Sequence, residues 1–239
     1  MDNQNSFLAK STIKAADLEH RRKINFNISR YDSAVLKGKS QFADIESARK
    51  RAKNLKWRAI ENLDALLENF ESVLTARGAH VLWASDANSA LEQIGKICTE
   101  RNCKTVVKSK SMVTEEIHLN HFLEQQGIES IETDLGEFIQ QLDKEPPYHI
   151  VTPAMHKSKE DIAKLFYEKL GTPPNLPPEA LTLEARKILR EKYIQAEIGI
   201  TGANFLLADT GSIAITENEG NARLSTAFPK THIVIAGIE

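Results

Sequence analysis

Apolar positions first form a sustained pattern between residues 44 and 78. Five apolar residues recur there at steps of three and four, which places them along one face of an α-helix: Ile60, Leu63, Leu67, Phe70 and Leu74. Gly78 is an expected C-terminal cap, since glycine adopts a positive φ without steric cost. We interpret the segment as an amphipathic helix that packs on its own domain. A coiled coil between two copies of the chain is the alternative.

Beyond Gly78, short apolar runs alternate with amphipathic segments. The runs predict strands at 79–85, 104–109, 128–133 and 148–153. The segments that follow them predict helices at 86–102, 113–127, 134–142 and 158–171, with a capping box formed by Ser158 and Asp161 and with glycine ends at Gly127 and Gly171. Strands that alternate with helices indicate a mainly parallel, doubly wound α/β sheet.

The C-terminal part breaks that alternation at a proline-rich loop. Residues 172–178 hold four prolines in seven positions, which favours a stiff surface loop. A helix is predicted at 179–197. Two short strands, at 204–208 and 212–216, are then joined by a hairpin turn at Asp209-Thr210-Gly211. Residues 217–223 predict a second turn, and residues 232–237 predict a last strand.

The first 43 residues have no sustained period and predict an arm with short helical pieces. The expected organisation is therefore an arm at 1–43, a helix packing on the core at 44–78, and an α/β domain at 79–239.

Composition excludes several classes of protein. Hydrophobic residues make up 41% and charged residues 27% of the chain, and the net charge of −2 provides no basic field for nucleic acid. No run of 18 apolar residues predicts a membrane span, and the N-terminus lacks the apolar core of a secretory signal. The two cysteines, Cys98 and Cys103, are expected to be reduced thiols of a cytoplasmic protein.

Candidate chemistry is expected where strands end, because ligands of open α/β sheets bind beyond the carboxyl ends of the strands. One cluster combines positive charge and hydroxyl groups just before a helix: Lys108, Ser109, Lys110 and Ser111. Such a composition suits an anionic group such as a carboxylate or a phosphate. A capping loop with solvated lysines is the alternative.

A second polar cluster flanks the predicted hairpin. Its members lie before the first strand and after the second: Thr201, Gly202, Asn204, Glu217, Asn218, Glu219, Gly220, Asn221 and Arg223. Glycines allow the backbone to approach a ligand closely, and carboxylates beside an arginine can orient a small acid. Glu217 or Glu219 is the candidate nucleophile or base. The alternative is that both stretches are merely turns.

Two weaker patterns carry no function here. Glu115, His118 and His121 recur every three residues, but no further metal ligand accompanies them. Asp209-Thr210-Gly211 matches the tripeptide of aspartic proteases, but a single copy in a short hairpin is weak evidence.

Several long stretches together resemble a known family. They cover residues 108–142, 149–166, 198–224 and 232–239, and they resemble the lactate-utilisation protein B (LutB) family and its LUD domain. The resemblance runs in order from about residue 45 to residue 239. It implies an α/β core similar to the fold of sugar isomerases and CoA transferases.

The resemblance also implies a role in oxidising L-lactate to pyruvate beside other lactate-utilisation subunits, with lactate or another small carboxylic acid as ligand. It implies a C-terminal region with two 4Fe–4S clusters, which require cysteine runs that this sequence lacks. We therefore expect an N-terminal portion of such a subunit, without a cofactor of its own, inactive alone, and able to form homo-oligomers through exposed apolar surface. The alternative function is a CoA-transferase-like module that binds a small acid or acyl thioester and has no redox role.

Overall fold

The computed structural model describes residues 2–217 and 219–238. Its helices, in chain order, are α1 (Asp2–Ala16), α2 (Leu18–Lys39), α3 (Ile45–Glu61), α4 (Leu63–Ala76), α5 (Ala87–Glu100), α6 (Met112–Glu116), α7 (Leu119–Gln125), α8 (Leu135–Asp143), α9 (Lys159–Leu170), α10 (Pro178–Gln195) and α11 (Asn221–Ala227). Its strands are β1 (Thr105–Lys108), β2 (Glu129–Glu132), β3 (Ile198–Thr201), β4 (Phe205–Leu207), β5 (Ser212–Ala214) and β6 (Thr231–Val234).

Four of the strands form one parallel sheet in the order β2-β1-β3-β6, whereas β4 and β5 form a separate antiparallel hairpin. In the centre of the sheet, Val106 of β1 pairs with Ser130 on one side and with Ile198 on the other. The predicted fold class is confirmed: a mainly parallel α/β sheet with a hairpin, preceded by N-terminal helices.

Successive residues of β1 face opposite sides of the sheet, and each side is covered by helices. Val107 packs in one apolar core with residues of α8, α9 and α10, among them Phe138 and Phe166. Val106 packs in the other core with residues of α5 and α7, among them Cys98 and Leu123. Because both faces are covered, polar side chains gather at the carboxyl edge of the sheet.

Strand β3 lies in the middle of the sheet, although the apolar pattern does not predict it. All four of its residues are buried between β1 and β6. The run is short and contains Gly199, so its sequence is typical of a loop. The glycine is required by a close approach, because a Cβ at this position would lie 1.8 Å from the carbonyl oxygen of Ser225 in α11.

The predicted strand at 79–85 is wrong. Leu82 and Trp83 are exposed there, and neither residue contributes to a sheet. The Trp83 indole donates to the carboxylate of Glu71 (3.0 Å), and the backbone carbonyl oxygen of Trp83 accepts from the side-chain amide of Gln93 (2.8 Å). Side chains of the neighbouring helices α4 and α5 therefore hold this segment in place of a partner strand.

The predicted strand at 148–153 is also wrong. Nδ1 of His149 accepts hydrogen bonds from the backbone N–H groups of Val151 (3.1 Å) and Thr152 (3.3 Å). This local bend uses donors that a strand would give to its neighbour, and it leaves Ile150 exposed.

Two predicted helical stretches are interrupted. His118 has a left-handed backbone conformation (φ 54°), which divides the predicted helix at 113–127 into α6 and α7. The apolar stripe from Ile60 to Leu74 spans two helices, because α3 ends and α4 begins on either side of Asn62. The capping box at the start of α9 and the positive φ of Gly171 at its end are confirmed.

Residues 2–16 and 18–39 form helices α1 and α2, which are longer than the short pieces that the sequence predicts. Helix α2 contacts the core through three polar pairs: His20 Nε2 with the Tyr148 hydroxyl (2.9 Å), Lys23 Nζ with Asp161 (2.6 Å), and Asn27 Nδ2 with the Met155 carbonyl (2.8 Å). Every residue of α2 and α3 is at least partly exposed, so these helices lie on the surface of the domain.

The hairpin turn packs against α4. Gly211 has a φ of 57° and lies so close to α4 that a Cβ there would be 2.8 Å from the backbone nitrogen of Leu74. The side chain of Asn69 donates to the carbonyl oxygen of Ala208 (2.8 Å). These contacts fix the turn end of the hairpin and leave its open end near the carboxyl edge of β3.

Candidate functional site

Lys108, the last residue of β1, is fully buried and does not present its ammonium group to solvent. Its Nζ donates to Thr114 Oγ1 (2.8 Å), Glu115 Oε1 (3.0 Å) and Glu132 Oε1 (2.8 Å). Three partners use all three donors of an ammonium group. In this conformation Lys108 has no donor left for a ligand.

The carboxylates around Lys108 form a buried polar cluster at the ends of β1 and β2. Glu132 also accepts from Asn120 Nδ2 (2.7 Å), while its Oε2 and the Oε2 of Glu137 have no hydrogen-bond partner within the described part of the chain. Both glutamates are 3% exposed. The cluster therefore holds more carboxylate groups than its one lysine can neutralise.

Protonation relieves that excess of negative charge. Burial, followed by the proximity of Glu132, raises the pKa of Glu137 to about 9, so this carboxyl group is neutral at pH 7. Burial alone would lower the pKa of Lys108, but the Glu132 and Glu115 carboxylates outweigh burial and raise it above the ordinary lysine value. At neutral pH the cluster thus contains a charged lysine and a protonated glutamic acid.

The other residues of the first predicted cluster lie in the loop after β1. Ser109 is buried and its backbone N–H donates to the carbonyl oxygen of Ile200 (2.9 Å). Ser111 is buried against Gly202, where a Cβ would come within 2.8 Å of the serine Oγ. Lys110 is partly exposed, and its Nζ donates to the carbonyl oxygen of Val151 (3.1 Å). Only Lys110 of this set keeps a charged group near solvent.

The open end of the hairpin brings together the two flanks of the second predicted polar cluster. The side-chain oxygen of Asn204 accepts from the backbone N–H of Thr216 (2.7 Å), and the backbone N–H of Asn204 donates to the carbonyl oxygen of Ala214 (3.0 Å). Residues before β4 are thereby held beside residues that follow β5. Thr201, at the end of β3, is fully buried.

The predicted turn at 217–223 is wrong in part, because α11 begins at Asn221. Gly220 precedes it with a φ of 80°, and Asn221 Oδ1 accepts from the N–H of Ala222 (2.9 Å). Glu217 accepts from the backbone N–H of Arg223 (3.0 Å) and lies 3.5 Å from its Nε. Asn218 lies outside the described residues.

Glu217 and Glu219 have different surroundings. Glu217 is mostly buried beside Arg223, whose side chain is 80% exposed. Glu219 is exposed at the first turn of α8, where it accepts from the N–H of Leu135 (3.5 Å). Partial burial and then the Asp134 carboxylate raise the pKa of Glu219. Of the two alternative catalytic carboxylates, Glu217 therefore lies beside Arg223 and Glu219 lies beside the start of α8.

An open cleft of about 350 Å³ lies between the hairpin, α11 and β6. It is lined by Ile213, Ile215, Glu217, Ala222, Arg223, Thr226 and His232. Two of these polar residues, Thr226 and His232, are not among the predicted site residues. His232 is the polar residue that begins the otherwise apolar run predicting the last strand, which is a signal that the sequence offers.

His232 is fixed by a buried hydroxyl group. Its Nε2 lies 2.8 Å from Thr201 Oγ1, across the pairing of β3 with β6. The residue is exposed at the edge of the sheet, yet burial of its ring against this partner lowers the pKa of His232. A lowered pKa favours the neutral form of the ring.

The residues present do not fit an iron–sulfur cluster. Cys98 and Cys103 are the only cysteines of the sequence, both are buried, and a cubane cluster takes four thiolates. Within residues 2–217 and 219–238, no group of three or more histidine, cysteine, aspartate or glutamate side chains has an arrangement that could hold a metal ion. None of the described helices combines the length and apolar character that a membrane crossing requires.

Comparison with known proteins adds a family and several relatives. The family model described as LUD domain matches residues 67–239. The chain is 47% identical over 194 residues to the Uncharacterized electron transport protein YkgF of Escherichia coli K12, covering 81% of this chain and 41% of that protein. It is 45% identical over 205 residues to Lactate utilization protein B of Bacillus subtilis 168, covering 85% and 43%.

A longer alignment is found with Lactate utilization protein B of Lysinibacillus sphaericus, which is 42% identical over 237 residues. That alignment covers 99% of this chain and 47% of the relative, so the chain spans less than half the length of these relatives. No solved structure gives a significant match.

Proposed function

Because the chain belongs to the LUD domain family, we propose that it is the small-carboxylate-binding portion of a lactate-utilisation protein. The relatives named Lactate utilization protein B support lactate, or a close analogue, as the carboxylate. The single observation that carries the proposal is the cleft lined by Glu217, Arg223 and His232.

The chemistry of the cleft suits a short carboxylic acid. Arg223 is mostly exposed, and Glu217 engages its Nε, which leaves the two terminal nitrogens to form a fork for a carboxylate. Ile213, Ile215 and Ala222 supply an apolar wall for a methyl or short alkyl group. A charged anchor with an apolar wall is the usual composition of a small-molecule site.

The Lys108 cluster supports this site without binding the ligand. Its charges fix the ends of β1 and β2, and the adjoining loop holds Ser111 against Gly202 at the end of β3. Lys110 remains available to add positive charge near the carboxyl edge of the sheet.

Lactate oxidation releases two electrons, and we propose that other subunits or other parts of the protein receive them. The printed name of the Escherichia coli relative, an electron transport protein, supports a redox setting. This chain then contributes ligand binding, and its partners are the other lactate-utilisation subunits.

Glu219 favours a second candidate function, binding or transfer of an acyl thioester. It is exposed at the N-terminal turn of α8, with a raised pKa and a long hydrogen bond from the N–H of Leu135. A carboxylate held in this way can act as a nucleophile toward a thioester carbonyl. In this function Glu217 keeps its role of orienting Arg223.

Calorimetric titration of the 239-residue chain with L-lactate tests the primary proposal. Replacement Arg223→Gln should weaken binding by roughly tenfold or more, since a hydrogen bond to a charged group contributes about 1.5–3 kcal/mol. The matched control is Arg186→Gln on the exposed side of α10, which should bind as the unmodified chain does. Equal affinity of both variants, or no carboxylate binding by the unmodified chain, would overturn the proposal.

A further inference from the structure

We propose that His232 is a specificity-determining residue of the cleft, whose Nδ1 hydrogen-bonds the oxygen on carbon 2 of a 2-hydroxy or 2-oxo carboxylate. This inference rests on the proposed function, because it takes the ligand carboxylate to be held by Arg223. It adds a named group that distinguishes such acids from simple carboxylic acids of the same length.

The register of the sheet directs His232 toward α11. His232 pairs with Gly199 across β3 and β6, and paired residues on neighbouring strands project to the same face. A Cβ on Gly199 would point at Ser225 in α11. The imidazole of His232 therefore lies on the face that α11 covers, where Arg223 and Thr226 line the same cleft.

The hydrogen bond with Thr201 determines which ring nitrogen is available. Thr201 is fully buried, and its hydroxyl lies 2.8 Å from Nε2 of His232. Since Nε2 is engaged with this residue, Nδ1 is the nitrogen left for a ligand. Thr201 thus acts as a positioning residue that holds the ring orientation.

A neutral imidazole suits an oxygen in either oxidation state. Depending on the tautomer, Nδ1 accepts from a hydroxyl group or donates to a carbonyl group. The charged groups that line the cleft with it are Glu217 and Arg223, and these already form a pair. A neutral ring beside that pair adds hydrogen bonding without adding charge.

The test compares L-lactate, pyruvate and propionate, which lacks the oxygen on carbon 2, by calorimetric titration of the full chain. The unmodified chain should prefer lactate and pyruvate over propionate by roughly five- to tenfold, the effect of about one hydrogen bond. In His232→Gln, the side-chain amide replaces Nε2 and keeps the bond to Thr201, so folding is retained. This variant should bind lactate, pyruvate and propionate about equally.

His232→Asn provides the complementary variant, because its amide replaces Nδ1 and abandons Thr201. It should retain part of the preference for lactate while melting at a lower temperature than His232→Gln. If His232 were merely structural, His232→Gln would prefer lactate over propionate as strongly as the unmodified chain does. That result would overturn the inference.

The outcomes separate the two proposals. If lactate and propionate bind equally and Arg223→Gln weakens both, carboxylate binding stands and the role of His232 is refuted. If none of the three acids binds the unmodified chain, both proposals are refuted. A preference that disappears only in His232→Gln supports both.

Discussion

Two polar clusters flank the same sheet, and they use their charges in opposite ways. The Lys108 cluster, at the ends of β1 and β2, is closed: its lysine is fully buried and donates to Thr114, Glu115 and Glu132. The cleft beside α11 is open, and the side chain of Arg223 is 80% exposed. Both clusters combine a basic residue with glutamates, yet only the open one can offer a charged donor to a ligand.

Residue type alone therefore does not identify a binding group. Burial removes hydration from a charge, so the protein itself must supply every partner, as it does for Lys108. An exposed charge keeps its water and exchanges it for a ligand at low cost. The predicted anion site at 108–111 thus consists mostly of groups that already bond within the protein. The hairpin flank, in contrast, keeps the exposed guanidinium of Arg223 for a ligand.

The largest expected effect comes from breaking the closed cluster. Lys108→Met removes the cation and leaves Glu132 and Glu115 without it, which should reduce the free energy of unfolding by about 3–5 kcal/mol. Urea unfolding followed by circular dichroism measures this change. The exposed neighbour Lys104→Met is the control, with an expected change within about 0.5 kcal/mol. Equal stability of the two variants would show that the cluster is not structural.

The next effect tests how α11 is held over the sheet. In Gly199→Ala the new methyl group would meet the Ser225 carbonyl at 1.8 Å, so α11 must shift, at an expected cost of about 1–3 kcal/mol. Lactate affinity should fall as well, because α11 carries Arg223. Gly38→Ala in α2 is the control: its Cβ meets nothing within 4 Å, and the change should be stabilising. A neutral Gly199→Ala would contradict the close packing of α11 on β3.

A pH-dependent effect comes from Glu137. Its pKa of about 9 in the folded chain lies above the unfolded value of about 4.3. The native state therefore holds one more proton than the unfolded state between these values, and stability declines as pH rises toward 9, by up to about 1.4 kcal/mol per pH unit. The contribution is complete below the unfolded pKa and is lost as pH passes the folded pKa.

The replacement Glu137→Gln removes this pH dependence, because a glutamine side chain does not titrate. The variant should gain stability relative to the unmodified chain as pH increases from 6 to 9, in urea unfolding at several pH values. The exposed Glu191→Gln on α10 is the control and should show a pH-independent difference. If the difference for Glu137→Gln is also independent of pH, the carboxyl group is already ionised at neutral pH.

The smallest stability effect is expected at the open cleft. Arg223→Lys should change the free energy of unfolding by less than about 0.5 kcal/mol, because an exposed ion pair contributes little. It should nevertheless weaken lactate binding several-fold, since an ammonium group lacks the planar fork of arginine. Thermal melting and titration on one preparation compare the two effects. A loss of stability without a loss of affinity would place Arg223 among structural residues.

Much of the fold could be predicted because local signals and tertiary structure agree. Apolar runs predicted β1, β2 and β6, and the turn signal at Gly211 predicted the hairpin. Strand β3 was missed because its four residues include a glycine, and its position between two strands depends on distant pairing. The strand predicted at 148–153 failed because a side chain, His149, satisfies its backbone donors locally.

The candidate site was less predictable than the fold. Burial of Lys108 depends on Glu132, which lies 24 positions later, and no local pattern indicates that the two residues meet. The open end of the hairpin was predicted from the short strands around Asp209-Thr210-Gly211. His232 was missed because its neighbours predict an ordinary strand.

One measurement tests the contrast between the two clusters most directly: an NMR titration of the ¹⁵N-labelled chain with L-lactate. Binding in the open cleft should shift the backbone amides at 213–217, 222–226 and 231–233, with little change at 108–116 and 129–137. Shifts concentrated at 108–116 and 129–137, with the hairpin and α11 unaffected, would contradict it and place the ligand at the Lys108 cluster.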